Sequence, residues 1–279
     1  MEERQFKTGW KGFLSFKFVA DLGRTVVKDK KHFGPLVIQR PYYQEVDLPQ
    51  VLILHPPGGI VGGDELQIEV GLSKKAKGMV STPAATKFYR SNNRLATQSQ
   101  FAILEEEAEL EWLPQETLFF ESSNADNVIR FQLHESCKLI AWDIVGLGRP
   151  ESGEVYAKGQ LKQRLEFILN GKKIFIDRLT LVPNSPLLAS QTGFCRYSLF
   201  ATALFYTSDL QSQDSLLDLL QSQSWLTSVG VTKVSDGLIV LRALSSQLDD
   251  IKDDLYKAWV LARPLILGRQ ALKPRIWNT

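Results

Sequence analysis

Residues 51–64 read VLILHPPGGIVGGD, and residues 65–70 continue as ELQIEV. Four consecutive apolar residues stopped by two prolines and two glycines describe a buried strand that ends in a rigid turn, because the run is too short for a helix and the breakers close it. The alternation that follows, with Leu66, Ile68 and Val70 on one face, describes a second strand. The same pattern extends in both directions. Toward the amino terminus, Phe13, Phe16, Phe18 and Val19 precede an Asp21-Leu22-Gly23 turn, and segments 25–27 and 36–38 flank a lysine-rich loop and Gly34-Pro35. Toward the carboxyl terminus, strand-like segments recur at 79–82, 98–104, 110–113, 117–120, 128–133, 139–145, 161–169 and 173–181. Short strands separated by polar turns predict an all-β sandwich, barrel or solenoid rather than βαβ units.

Helical period is confined to the last third. Leu248, Ile251, Leu255, Trp259 and Ala262 share one face, Ser246 and Asp249 supply a start signal, and Pro264 is expected to end the run. A second helix is expected over 214–225, with Asp214 as its cap. With no internal repeat and no low-complexity linker, residues 1–279 are expected to form one mostly β domain with two late helices.

The scarce residues exclude several functions. Lys and Arg total 33 against 31 Asp and Glu, a net charge of +2 that gives no electrostatic footprint for nucleic acid. Cys137 and Cys195 stand alone, and His32, His55 and His134 are far apart, which excludes zinc-ribbon, zinc-finger and zincin spacings and any tight metal site built on them. The segment MEERQFKTGWKGFLSF has no continuous apolar stretch or small-residue cleavage site, and the longest apolar run, 258–262, is five residues. The expected setting is therefore cytoplasmic, with no membrane partner.

The loop made by His55, Pro56, Pro57, Gly58, Gly59, Gly62 and Gly63 is rich in positions suited to positive φ and fixed kinks. It is not a phosphate-binding P-loop, because no Lys-Ser or Lys-Thr pair and no helix pattern follow. It serves either as a strand connection or as a surface whose amides receive an anion or a partner backbone. The turn GLGRPESG, 146–153, fails as a dinucleotide fingerprint: Glu151 stands where the third glycine belongs, and Pro150 interrupts the loop.

Acids within apolar segments need a separate explanation. Glu111 and Glu116 flank Leu113-Pro114, Asp143 lies between Trp142 and Ile144, and Asp177 lies between Ile176 and Arg178. An ionised carboxylate there must face water or find a partner, since burying it alone costs several kcal/mol. Pairing with Arg178 or Arg149 is one reading. The other is a polar interior passage, or an oxygen-donor site for a transient cation, to which the small and cationic cluster 82–90 (TPAATKFYR) contributes. No Gly-x-Ser-x-Gly elbow, Cys/His pair or helix-borne His/Glu pair is visible; carboxylate chemistry of a hydrolase or lyase on a β scaffold stays as the enzymatic alternative.

Taken in order, HPPGGIVGGD, TPAATKFYRS, EWLPQET, WDI-x-GLGRP-x-SGE and the terminal PRIWNT resemble the urease accessory protein family UreD/UreH, collinearly from Gly34-Pro35 to Thr279. Ser81 departs mildly from the family pattern, and 208–223 is variable. The resemblance implies a mainly β fold, a β-helix-like stack of short strands with two helices in the C-terminal half. It also implies a nickel-urease maturation factor with no catalytic activity that binds UreF, through it the GTPase UreG, and apo-urease. The family's proposed internal nickel route implies a passage lined by Asp64, Glu116, Asp143 and Asp177, with Thr86, Lys87 and Arg90 shaping its electrostatics and the HPPGG turn as a wall. Such a route calls for transient nickel(II) and no tightly bound cofactor, because a conduit must release what it receives. In the tail, Arg275 and Trp277 either dock UreF or close the core.

Overall fold

The computed structural model describes residues 9–149 and 152–278. Pro150 and Glu151, the leader reading of residues 1–8 and Thr279 lie outside them. In chain order the strands are β1 (Lys11–Asp21), β2 (Arg24–Phe33), β3 (Val37–Ile38), β4 (Tyr42–Glu45), β5 (Leu48–Leu54), β6 (Glu65–Leu72) and β7 (Lys77–Ser81). They continue with β8 (Thr86–Phe88), β9 (Ala96–Leu104), β10 (Glu109–Trp112), β11 (Thr117–Phe119), β12 (Asn124–Leu133), β13 (Lys138–Leu147), β14 (Gln160–Leu169) and β15 (Lys172–Leu181). Last come β16 (Leu199–Tyr206), helix α1 (Leu210–Gln221), β17 (Ser228–Ser235), β18 (Leu238–Ser245) and helix α2 (Leu248–Leu267).

One sheet runs β15-β14-β12-β9-β6-β1-β2, parallel from β1 through β14 with antiparallel edges. The other runs β17-β18-β16-β13-β10-β7-β5-β3. Successive rungs alternate between the sheets, giving a solenoid-like stack, and a short third ladder of β8, β11 and the end of β13 joins its corner. The resemblance to a β-helix-like stack with two late helices therefore holds.

Residues in register form columns through the stack. Phe16, Val70, Ala102, Phe131 and Phe167 occupy matched positions and are buried, as are Phe18, Leu72, Leu104 and Leu133. Burying each large apolar side chain contributes about 1.5–3 kcal/mol. The uninterrupted LIAWDIV segment of β13 is explained by burial on both faces. Leu139, Ala141 and Val145 join the solenoid core, while Ile140, Trp142 and Ile144 join a second core beneath α1 and α2. Asp143 shares the inward face.

Four local expectations need correction. The lysine-rich segment expected as a loop belongs to β2, whose outer half is exposed and charged, as befits a sheet edge. Strands β16–β18 lie in a region where only helical pattern was recognised; the polar, Gly230-containing β17 alternates weakly, and β16 is too uniformly apolar to show a period. Helix α1 starts at Leu210, not near Asp214, because the Asp209 side chain accepts the Gln211 and Ser212 amides. Helix α2 begins after Gln247 without a side-chain cap, and it passes through Pro264 to end at Gly268 (φ 66°). Burial of Ile266 and Leu267 offsets the amide that Pro264 lacks.

Candidate functional site

The solenoid core is interrupted by a row of polar side chains. Gln98 on β9, Asn127 on β12 and Gln163 on β14 sit in register on neighbouring parallel strands, and all three are buried. Asn127 Nδ2 donates to Gln163 Oε1 at 3.0 Å, and Gln163 Nε2 donates to Asp143 Oδ2 across the stack. Asn127 Oδ1 has no hydrogen-bond partner among the described residues. Such an acceptor, costly inside a protein, suits a space that takes water or a passing ligand.

Each end of this row meets a cavity. One, of about 210 Å³, is bordered by His55, Thr82, Thr86, Gln98 and Gln100. The other, of about 370 Å³, is bordered by Asp143, Gln163, Asp177, Thr202 and Arg242. Thr202 is in register with Asp143 on the adjacent strand β16. At the edge of this cavity Arg242 Nη2 donates to Asp177 Oδ2 at 2.8 Å. Burial pushes the Asp143 carboxyl up to about 7, with the Gln163 hydrogen bond opposing and the Asp177 charge adding to the rise. The row thus offers amide, hydroxyl and carboxylate oxygens one or two at a time, weak donors suited to a hard or hydrated cation in transit. Among the described residues, no group of three or more His, Cys, Asp or Glu is placed to hold a metal ion.

The other residues singled out in the sequence are dispersed. Thr86 and Lys87 border the smaller cavity. Asp64 accepts the backbone amides of Trp10 (2.8 Å) and Val61 (2.9 Å), so its carboxylate holds the HPPGGIVGGD turn to the start of β1. Burial lowers the basicity of His55, opposed by the Asp64 charge. Glu116 pairs with Lys252 at 2.8 Å beside a separate groove bordered by Trp142, Tyr256 and Trp277. Arg90 is exposed. The expected pairing of the strand acids with Arg178 or Arg149 is replaced: Asp177 meets Arg242, Arg149 meets Glu154, and Asp143 has no cation partner among the described residues. In the tail, Trp277 packs 5.4 Å from both Trp142 and Trp259, while Arg275 lies over Tyr42 at 5.6 Å.

Sequence reasoning missed Gln98, Gln100, Asn127, Gln163 and Thr202. The available signal was an amide or hydroxyl on the inward side of an otherwise apolar alternation, as in the ATQSQFAIL of β9. It also missed what becomes of Glu111. Trp259 Nε1 and Arg263 Nε donate to Glu111 Oε1 at 2.6 and 3.0 Å, and Arg263 Nη2 reaches Oε2 at 3.1 Å. Arg263 also bonds Glu45, and Arg269 bonds Asp47 and Glu45. The Arg269 guanidinium beside Asp47 holds that carboxyl far below the usual range, despite partial burial. This network ties α2 and the tail to β4, the turn between β4 and β5, and β10.

The fold is thus a solenoid-like β stack with buried amides in its interior and two late helices, in which Glu111 is tied to arginine and Asp64 to backbone amides. Residues 11–278 match the family model described as UreD urease accessory protein, and the chain belongs to that family. It is 36% identical over 271 residues to the urease accessory protein UreD of Alkalilimnicola ehrlichii, covering 97% of this chain and 92% of that one. The UreD proteins of an Enterobacter species (36% over 279 residues, 97% and 96% covered) and of Klebsiella aerogenes (35% over 273 residues, 98% of each) are comparably similar. No helix among the described residues is long and apolar enough to cross a membrane.

Proposed function

We propose that this urease accessory protein is a non-catalytic, cytoplasmic scaffold that binds apo-urease and UreF, gathers UreG through UreF, and lets nickel(II) pass through its interior as cargo. The observation that carries the nickel role is the buried row from Gln98 through Asn127 and Gln163 to Asp143, with a cavity at each end. Neutral amides can replace part of a cation's hydration without trapping it, and Asp143 supplies negative charge once it loses its proton. Thr86 borders the first cavity, while Asp177 and Arg242 form an ion pair beside the second. Asp64 and Glu116 serve this reading as supports, since each is already bonded. Lys87 borders the first cavity beside Thr86, and exposed Arg90 places positive charge outside it.

The test is urease activation from apo-urease, nickel, bicarbonate, GTP, UreF and UreG with this protein carrying Gln163→Leu, which blocks the row with a side chain of similar volume. Assembly of the complex is expected to survive while nickel-dependent activation falls about tenfold or more. Full activation by an assembled variant contradicts the passage.

A further inference from the structure

The turn motifs that the interior row does not use converge on one outer corner of the solenoid. Ile60 bridges to Phe88, Phe88 stacks on Phe119 at 4.8 Å inside, and the next residue of each rung faces outward. There Tyr89 lies against Gly59, where any Cβ would come within 2.1 Å of its ring. Phe120 meets Tyr89 edge-on at 5.1 Å, and Arg149 sits 4.6 Å over the Phe120 ring. Glu154 fixes that arginine: one of its carboxylate oxygens takes the Arg149 guanidinium and the other the Glu121 amide. Beside this column Arg94 lies on Gly63 (φ 97°), so the two glycine pairs of HPPGGIVGGD make room for large side chains of the next rung.

We infer that this corner is a docking surface for an acidic face of a partner protein. Tyr, Phe and Arg held rigidly at a surface are the residues that dominate binding energy, because little rotamer entropy is left to lose. Exposed Val61, Leu95 and Val155 flank the column with apolar area. The charge selects the occupant. Arg90 and Arg94 are exposed and have no ion-pair partner among the described residues, and Glu154 is already bound to Arg149. Carboxylates brought by a partner would complete those arginines, whereas a basic surface would be repelled. The inference deepens the maturation reading by giving one partner contact its place and chemistry.

The test uses the full-length protein with Arg90→Glu and Arg94→Glu combined, and measures binding to purified apo-urease and, separately, to purified UreF from the same gene cluster. Affinity for one of them is expected to fall about tenfold or more, with a weaker salt dependence. Lys30→Glu with Lys31→Glu on the β2 edge, of equal charge change, is expected to alter it by less than about twofold. A circular dichroism melt reports that each variant is folded. Undiminished binding of both proteins by the arginine variant, or an equal loss in the lysine variant, overturns the docking surface. If the wild-type protein binds neither, the maturation reading itself fails.

Discussion

Glu111 and Asp143 are both acids buried in strands of the same sheet, and their surroundings differ completely. Glu111 on β10 is enclosed by Arg263 and Trp259, with every strong donor in place. Asp143 on β13 faces the opposite core and is met, among the described residues, by a single neutral amide, Gln163. A carboxylate closed by arginine is a fastener, because its charge has already been answered; one met only by an amide keeps an unmet demand for a cation or a proton. The contrast separates what holds the protein together from what it offers to a ligand.

The sharpest way to break the comparison is Arg263→Ala. It leaves Glu111 buried with Trp259 as its remaining strong donor and Glu45 held by Arg269 alone among the described residues, and it is expected to cost about 3–5 kcal/mol in urea unfolding. A loss below about 1 kcal/mol would make the network dispensable.

Asp143 is expected to behave in the opposite sense. Burial pushes its carboxyl up to about 7 in the folded protein, from an ordinary value of 3.8. Below the lower value both states hold the proton. Between the two, the unfolded chain releases it while the folded chain keeps it, so stability falls as pH rises and levels off above the folded pKa. Asp143→Asn keeps an oxygen acceptor for Gln163 and removes the charge. The variant is expected to be more stable than the parent by about 1–3 kcal/mol at pH 8, with the gain fading toward pH 4. Equal stability of the two proteins across that range would show that Asp143 is not desolvated.

The smallest effect is expected at Glu116, whose Lys252 partner is partly exposed. Glu116→Gln is expected to cost less than about 1 kcal/mol, and less again at high salt. A larger, salt-independent loss would place Glu116 with Glu111 among the fasteners.

Much of the stack was legible because its signals are local. The VLIL run and the ELQIEV alternation became β5 and β6, and the inward phenylalanines of 13–19 lie in β1. The parallel register that stacks Gln98, Asn127 and Gln163 is set by pairings between residues about thirty apart, which periodicity does not encode. Asp143 was identified as an acid in an apolar strand, but its neighbour Gln163 comes from another sheet. Glu111 was noticed for the same reason, while its partner Arg263 stands 152 residues further on in α2, just before the Pro264 at which the helix is expected to end, a separation that no local pattern encodes. Glycine-rich 55–64 was legible as a turn, yet only Gly58 and Gly63 adopt positive φ; Gly59 is required instead by the Tyr89 ring against it.

The most direct measurement is a nickel(II) titration of the isotope-labelled protein followed by the side-chain amide resonances of Gln98, Asn127 and Gln163. Paramagnetic nickel inside the row is expected to broaden these three signals before those of exposed glutamines, more strongly above pH 7 where Asp143 is ionised. Broadening confined to surface residues, with the three interior amides unchanged at either pH, would contradict the passage.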